Sequence, residues 1–403
     1  MKRRLVNILR HIDSEILKQE EKTQYLIKLL RKGFIINPQT DEKNSQWHDL
    51  ATRLPNIMDE KRSNIVILSL EHEISKFTEC NLIGLSRDQK LTLMRDLCFI
   101  QNAIIFAEPK NKKHNIIPDK LANPLISLAN ELGIPAQLSY LHYVLLNPNQ
   151  ERVFTSDDSY KVDTLTSEMI KIKTELGQSH NDERHFIDIY RNIEGKAVKM
   201  FDLMANLFEK KADKKDLSQI AKIIKEMRGE MNMMHFGTSK KGFNYFREFL
   251  KGSDLLENEI NGKGIYSQLG KYVSCHTGAS GAQTPLFAIL DAFLGVDHDA
   301  RAKIFLEKQA EFFLPKQREL IEFIKTEAMA IRQQYPEEIA TIATELGVYR
   351  ASHMRMVDRF IGGGVGICGT DRGDTLERVK RATDSAQAKL LESRSKPQAR
   401  ARL

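Results

Sequence analysis

Tyr335-Pro-Glu-Glu-Ile-Ala-Thr-Ile-Ala-Thr-Glu-Leu-Gly-Val-Tyr-Arg350-Ala-Ser-His353-Met-Arg-Met-Val-Asp-Arg-Phe360-Ile-Gly-Gly-Gly364 is the stretch that decides the fold class. Pro336 suits the first turn of a helix, where its missing N–H is not needed, and Glu337 and Glu338 complement the positive end of the helix dipole. The spacing predicts an unbroken helix to Phe360, stopped by glycine. On a 3.6-residue repeat His353 shares a face with Leu346, Tyr349, Arg350, Met356, Val357 and Phe360, so its imidazole points where the helix is otherwise apolar. Two readings stand at this position. A histidine of intermediate burial can be a hydrogen-bonded core residue. It can also be an axial haem ligand, which requires one neutral imidazole on a rigid element and a nearby cation for a propionate. Arg350, one turn earlier, is such a cation.

The sequence after this helix, Gly362 to Thr370, holds more glycine than a helix stop requires, which suits either a simple connection or a lid over a ligand. It lacks the spacing and the terminal Gly-Lys-Ser/Thr of a phosphate cradle. A second glycine-rich stretch, Thr277-Gly-Ala-Ser-Gly-Ala-Gln-Thr-Pro285, opens another helix, with Thr284 as its cap and Gly295 as its stop. Small residues there permit a flat ligand to approach the backbone.

Moving outward, helical periodicity continues almost everywhere. It predicts helices over residues 5–32, from Pro118 to a stop at Gly133-Ile-Pro135, and over about 183–210, 215–233 and 240–250. A further pattern over 300–334 is interrupted at Pro315, and a charged helix is expected over 375–392. Asn64-Ile-Val-Ile-Leu-Ser-Leu70 is the best strand-like run, and it reads equally as a turn of buried helix. The polar, basic segment between Phe106 and Ile117 reads as a surface loop. A soft domain boundary falls between Asn147 and Arg184. The expectation is an all-α protein with a small N-terminal domain over 1–150, a larger helical domain over 151–393, and a disordered basic tail over 394–403.

Composition narrows the function. The chain has 403 residues, 41% hydrophobic and 29% charged, which is globular. No apolar run approaches the roughly 18 residues of a membrane span, and no apolar stretch follows the basic start as a secretory signal would need. Of the net charge of +7, the tail residues Arg394, Lys396, Arg400 and Arg402 carry a large share. The remainder is too small for a nucleic-acid reader, and no such motif accompanies it. Four scattered cysteines, with no CxxC pair, suit a reducing cytoplasm. His48, His72, His114 and His298 lie among charged residues and are expected to be solvated.

Taken in order, Ser280-Gly-Ala-Gln-Thr-Pro-Leu-Phe-Ala-Ile-Leu-Asp-Ala-Phe-Leu-Gly295, Phe313-Leu-Pro315 with Arg318, Arg350-Ala-Ser-His353 and Gly366-Ile-Cys-Gly-Thr370 resemble the indoleamine 2,3-dioxygenase family of haem enzymes. That superfamily also includes tryptophan 2,3-dioxygenase and monodechloroaminopyrrolnitrin synthase. Upstream, Leu125 to Pro135, Leu138-Ser-Tyr140 and Val144-Leu-Leu-Asn147 are similar to the end of the family's small domain. The likeness covers about 115–392, and the first 110 residues match poorly.

The resemblance implies roles residue by residue. His353 matches the proximal iron ligand of haem b, Arg350 the propionate partner, Asp291 an acid supporting that arginine, and Ser280 a position beside the haem. Phe186 matches a distal-side aromatic. Arg247 matches the arginine that holds the substrate carboxylate, with Phe243 nearby, and Tyr140 and Val144 match pocket walls. Thr370, with Gly366 and Gly369, matches the substrate-covering loop. Three positions depart from the pattern. Gly366-Ile-Cys-Gly-Thr370 stands where the family reads Gly-Thr-Gly-Gly-Thr, Tyr190 where a small residue or histidine is usual, and Gly242 where an aromatic is expected. The implied function is a haem-dependent oxygenase using O2 on tryptophan or a related aromatic or indole amino acid, with no nucleic-acid or membrane partner. A monodechloroaminopyrrolnitrin-synthase-like rearrangement, an aromatic hydroxylation, and a non-catalytic haem-binding protein remain as alternatives.

Overall fold

The computed structural model describes residues 19–60, 63–106, 115–147, 178–209, 213–258 and 261–361. The expected tail, the helix over 375–392 and the loop bearing Gly366, Gly369 and Thr370 lie outside these residues, as does the junction at 150–151. Within them the expectation of an all-α protein holds. Helix α1 covers 19–32. It is followed by α2 (Ser45–Glu60), α3 (Ser63–Lys76), α4 (Arg87–Phe106) and α5 (Asp119–Leu132). The second half holds α6 (Gln178–Phe208), α7 (Lys214–Asn232), α8 (Met234–Gly237), α9 (Lys240–Arg247), α10 (Pro285–Leu294), α11 (Ala300–Ala310), α12 (Pro315–Gln334) and α13 (Pro336–Phe360). None of the described helices is long and apolar enough to cross a membrane.

The caps account for many of these boundaries. Thr284 accepts the Leu286 N–H at 3.2 Å, Pro285 takes the first position of α10, and Gly295 ends it at φ 67°. Gly133 ends α5 in the same left-handed conformation. The strand-like run at 64–70 folds inside α3. Val66, Ile67, Leu70 and Ile74 are buried while Ile65 and Leu68 face outward, a helical rather than an alternating distribution. Tertiary burial of one stripe overrides the β-branched preference there.

Helix α7 packs between α6 and α13 at the centre of the second half, with α9 laid across α6 and α13 and α10 against α12. The apolar core is continuous from α1 through α13. A small sheet links the halves: β1 (Ile116–Ile117) pairs in parallel with β4 (Ile265–Ser267), which pairs antiparallel with β5 (Tyr272–Ser274). The two short strands between them, β2 (Glu257–Asn258) and β3 (Gly262–Lys263), form a separate hairpin. This corrects the loop expected up to Ile117. Asn115 is buried and donates from Nδ2 to the Gly264 carbonyl at 2.9 Å.

Two further features place the site. Leu141–Leu145 form a fully buried π-helical turn, closed by Leu146 N–H donating to the Leu141 carbonyl at 2.8 Å. Gly278 approaches residues 250–252 so closely that a Cβ there would overlap the Leu250 carbonyl oxygen. The Ala279 N–H donates to that carbonyl at 3.0 Å, which sets the Ser280 loop beside the end of α9.

Candidate functional site

Helices α6, α9 and α13 and the turn around Tyr140 bring an aromatic cluster together. Phe186 and Tyr190, one turn apart on α6, have ring centroids 4.8 Å apart. Tyr140 meets Tyr190 edge-on at 5.8 Å. Phe186 also packs on Phe243 at 5.6 Å and on Phe246 at 5.2 Å. Phe243 continues the chain of rings to Phe360 at the end of α13, 5.4 Å away. Such edge and tilted contacts are the favoured arrangement of aromatic quadrupoles. The absent side chain of Gly281, next to Ser280, would lie 3.8 Å from Tyr190 Cε1, so the 280 loop borders the same cluster. Ser280 itself spends its hydroxyl oxygen accepting the Ala282 N–H at 3.2 Å. Val144 is buried in the π turn, and its carbonyl accepts from Arg191 Nε at 3.2 Å.

Arg247 follows Phe243 by one turn of α9. It is only 6% exposed, its guanidinium carbon stands 6.0 Å from the Phe243 ring centre, and its Nη2 has no hydrogen-bond partner. Glu248, the adjacent acid, pairs with Lys251 instead. A buried guanidinium with open donors is costly unless an anion arrives to meet it.

On α13, Arg350 and His353 lie one turn apart. Arg350 Nη2 pairs with Asp291 of α10, and among the described residues this is the guanidinium's only hydrogen bond, so its other donors stay available. Burial pushes the Asp291 carboxyl up, but Arg350 and the His298 Nε2 contact at 2.9 Å outweigh it and hold the group below the usual carboxylate range. This corrects the expectation for His298, which is not freely solvated. His48 likewise meets Asp96, at 3.0 Å. His353 is partly buried, and burial pulls its imidazole down to about 4, so it is neutral at physiological pH. Among the described residues the ring makes no hydrogen bond. A neutral imidazole with a free nitrogen on a long helix, beside an arginine with spare donors, is a donor set that fits haem.

Glu194 escaped the sequence reading. It lies one turn beyond Tyr190 on the face carrying Phe186, a spacing that could have revealed it. It is 2% exposed, and its Oε1 accepts from Thr284 Oγ1 at 2.6 Å and Tyr140 Oη at 3.1 Å, while Oε2 has no partner. Desolvation pushes the carboxyl up to about 7 against those two hydrogen bonds. Its pKa in the folded protein therefore exceeds the unfolded value of 4.5. The stability it contributes is full below pH 4.5 and is lost as pH rises through 7. Glu194→Gln should remove that loss, making the variant more stable than wild type at pH 8 by about 3 kcal/mol relative to their difference at pH 4. Denaturant midpoints of both proteins at the two pH values test this, and parallel profiles would refute it. Burial also pushes the neighbouring Tyr190 phenol up to about 12, so it stays protonated.

Sequence comparison places the chain among known proteins. A family model described as indoleamine 2,3-dioxygenase matches residues 23–396. The chain is similar to a myoglobin of Haliotis diversicolor, 20% identical over 346 residues that cover 82% of this chain and 86% of that protein. It is 23% identical to indoleamine 2,3-dioxygenase 1 of Mus musculus over 336 residues, covering 79% and 78%. It is also 23% identical to indoleamine 2,3-dioxygenase of Saccharomyces cerevisiae over 357 residues, covering 80% and 75%.

Proposed function

Because the chain belongs to the indoleamine 2,3-dioxygenase family, whose enzymes are haem-dependent oxidoreductases, we propose that it oxygenates tryptophan or a related aromatic or indole amino acid, with haem b as cofactor and O2 as co-substrate. When bound, haem supplies the redox chemistry that activates dioxygen.

The protein's part is holding and orienting. His353 would ligate the iron as a neutral imidazole, and Arg350, braced by Asp291, would meet a propionate with its spare donors. Phe186, Phe243, Tyr140 and Tyr190 would hold the substrate ring and exclude water. Arg247 would pair the substrate carboxylate, fixing the ring relative to the reacting centre. In this reading Ser280 and Val144 would line the wall. The observation that carries the substrate half is Arg247, a buried guanidinium with an unpartnered nitrogen beside an aromatic cluster. The free Cys80, Cys98 and Cys275 support a reducing, cytoplasmic setting.

The myoglobin relative favours a second reading, a haem protein that binds oxygen without turning over an organic substrate. One experiment separates the two. Ferrous haem-loaded protein is mixed with tryptophan, tyrosine or substituted indoles under labelled O2, and oxygen consumption and product mass are followed. Incorporation of two labelled atoms supports dioxygenation, and one atom or none indicates hydroxylation or rearrangement. Unchanged substrates with reversible oxygen binding would replace the enzyme reading with the second one.

A further inference from the structure

A carboxylate of α6 fastens the start of α9. Asp182, 5% exposed, accepts the Ser239 backbone N–H on Oδ1 at 2.8 Å and the Ser239 hydroxyl on Oδ2 at 2.6 Å. Ser239 Oγ in turn accepts the Gly242 N–H at 3.0 Å, and the Ser239 carbonyl accepts the Phe243 N–H at 2.9 Å. The open donors at the start of α9 are thus closed in two tiers, with an anion behind the cap where the helix dipole favours one. The carboxylate also fills the volume that a side chain on residue 242 would need. A Cβ built on Gly242 overlaps Asp182 Oδ2. Glycine at 242 and aspartate at 182 therefore fit as a pair.

This fastening lies on the path to Arg247. Asp182 is one turn before Phe186 on α6, and Gly242 precedes Phe243, the residue against which Phe186 packs. Arg247 comes one turn further along the eight-residue α9. No hydrogen bond or ion pair among the described residues holds the Arg247 side chain, so the seating of its helix determines where the guanidinium stands.

We propose that Asp182 is a positioning residue for Arg247, the Asp182–Ser239–Gly242 contact seating α9 so that the guanidinium meets a substrate carboxylate at the aromatic cluster. This rests on the reading of Arg247 as the carboxylate partner. It assigns the glycine at 242 a purpose: the wall yields a side chain there to admit the carboxylate that sets the helix.

The test is a mutant cycle in the full-length, haem-loaded protein, using L-tryptophan and tryptamine, which share ring and amine but differ in the carboxylate. Asp182→Ala, Gly242→Ala and the double variant are compared with wild type by spectral titration. Each single change should weaken tryptophan by about tenfold or more while moving tryptamine far less, since only the carboxylate uses Arg247. Gly242→Ala should cost clearly less in the Asp182→Ala background than in the wild type, because the carboxylate atoms it collides with are gone and only the residue 182 Cβ, 2.6 Å from the added methyl, remains. Equal weakening of both ligands would show a purely structural role and overturn the proposal, as would an undiminished Gly242→Ala effect in the double variant. Ser239→Ala, which keeps the Asp182 bond to the backbone N–H, is the milder variant if either single change prevents folding. It should shift the same ratio in the same direction, and an unchanged ratio would count against the proposal. Wild-type protein that binds the two ligands equally would instead remove the reading of Arg247 itself, and the positioning role with it.

Discussion

His353→Ala should yield a folded protein without a Soret band. The imidazole makes no hydrogen bond among the described residues, so its loss leaves no partner unsatisfied, and alanine is a better helix former. The structural cost should stay within the ordinary range of about 1–2 kcal/mol. The cost to haem retention should be far larger, because on the proposed reading one ligand bond from a rigid helix would anchor the iron. Added imidazole should restore part of the absorbance by occupying the vacated position. Haem titration beside far-ultraviolet circular dichroism measures both effects. Full occupancy with an unaltered spectrum would mean that another group ligates the iron.

Arg247→Ala separates the two halves of the site. A carboxylate entering a largely apolar cluster has to be paired there, and breaking such a pair costs about 2–5 kcal/mol, or roughly thirty- to several-thousand-fold in affinity. Haem uptake should not change, since Arg350 rather than Arg247 is assigned to the propionate. The ligand-free protein should lose little stability, because the substitution removes a buried cation with an open donor. Ligand affinity and Soret absorbance measured on the same variant decide the matter. Near-normal affinity for the true substrate would show that it carries no carboxylate or uses another cation.

What the sequence revealed follows from how far apart the cooperating groups lie. The starts at Pro285 and Pro336 and the stops at Gly133 and Gly295 are local signals, written within a few residues, and the helices obey them. The face of α13 carrying His353 is equally local. The run at 64–70 was ambiguous because β-branched residues suit both structures, and only its tertiary neighbours decide between them. The Asp182–Ser239 contact spans 57 residues and leaves no periodic trace. Gly242 read as a departure from a family pattern, and only the folded chain shows which atom occupies the space. Glu194 lies on a legible helical face, but its charge state is set by burial, opposed by Thr284 and Tyr140, donors from distant segments. Arg247 is legible as a cation among rings, whereas the open Nη2 it keeps among the described residues is a property of three dimensions.

The π-helical turn at Leu141–Leu145 accommodates one residue more than an α turn would in closing its ring. Its surroundings are fixed to that count: the Leu145 carbonyl receives the Ile36 N–H at 2.9 Å, and the Leu146 carbonyl receives Arg95 Nη1 at 2.8 Å. Tyr140, which enters the turn, is held from the other side by Glu194 and Gln283. Both ends are thus anchored to distant helices, and the residue number between them acts as a spacer of set length. A one-residue deletion here would rotate the following chain by about 100° relative to its anchors. Chain length within this buried turn is therefore under tighter constraint than side-chain identity, the reverse of what holds in a surface loop.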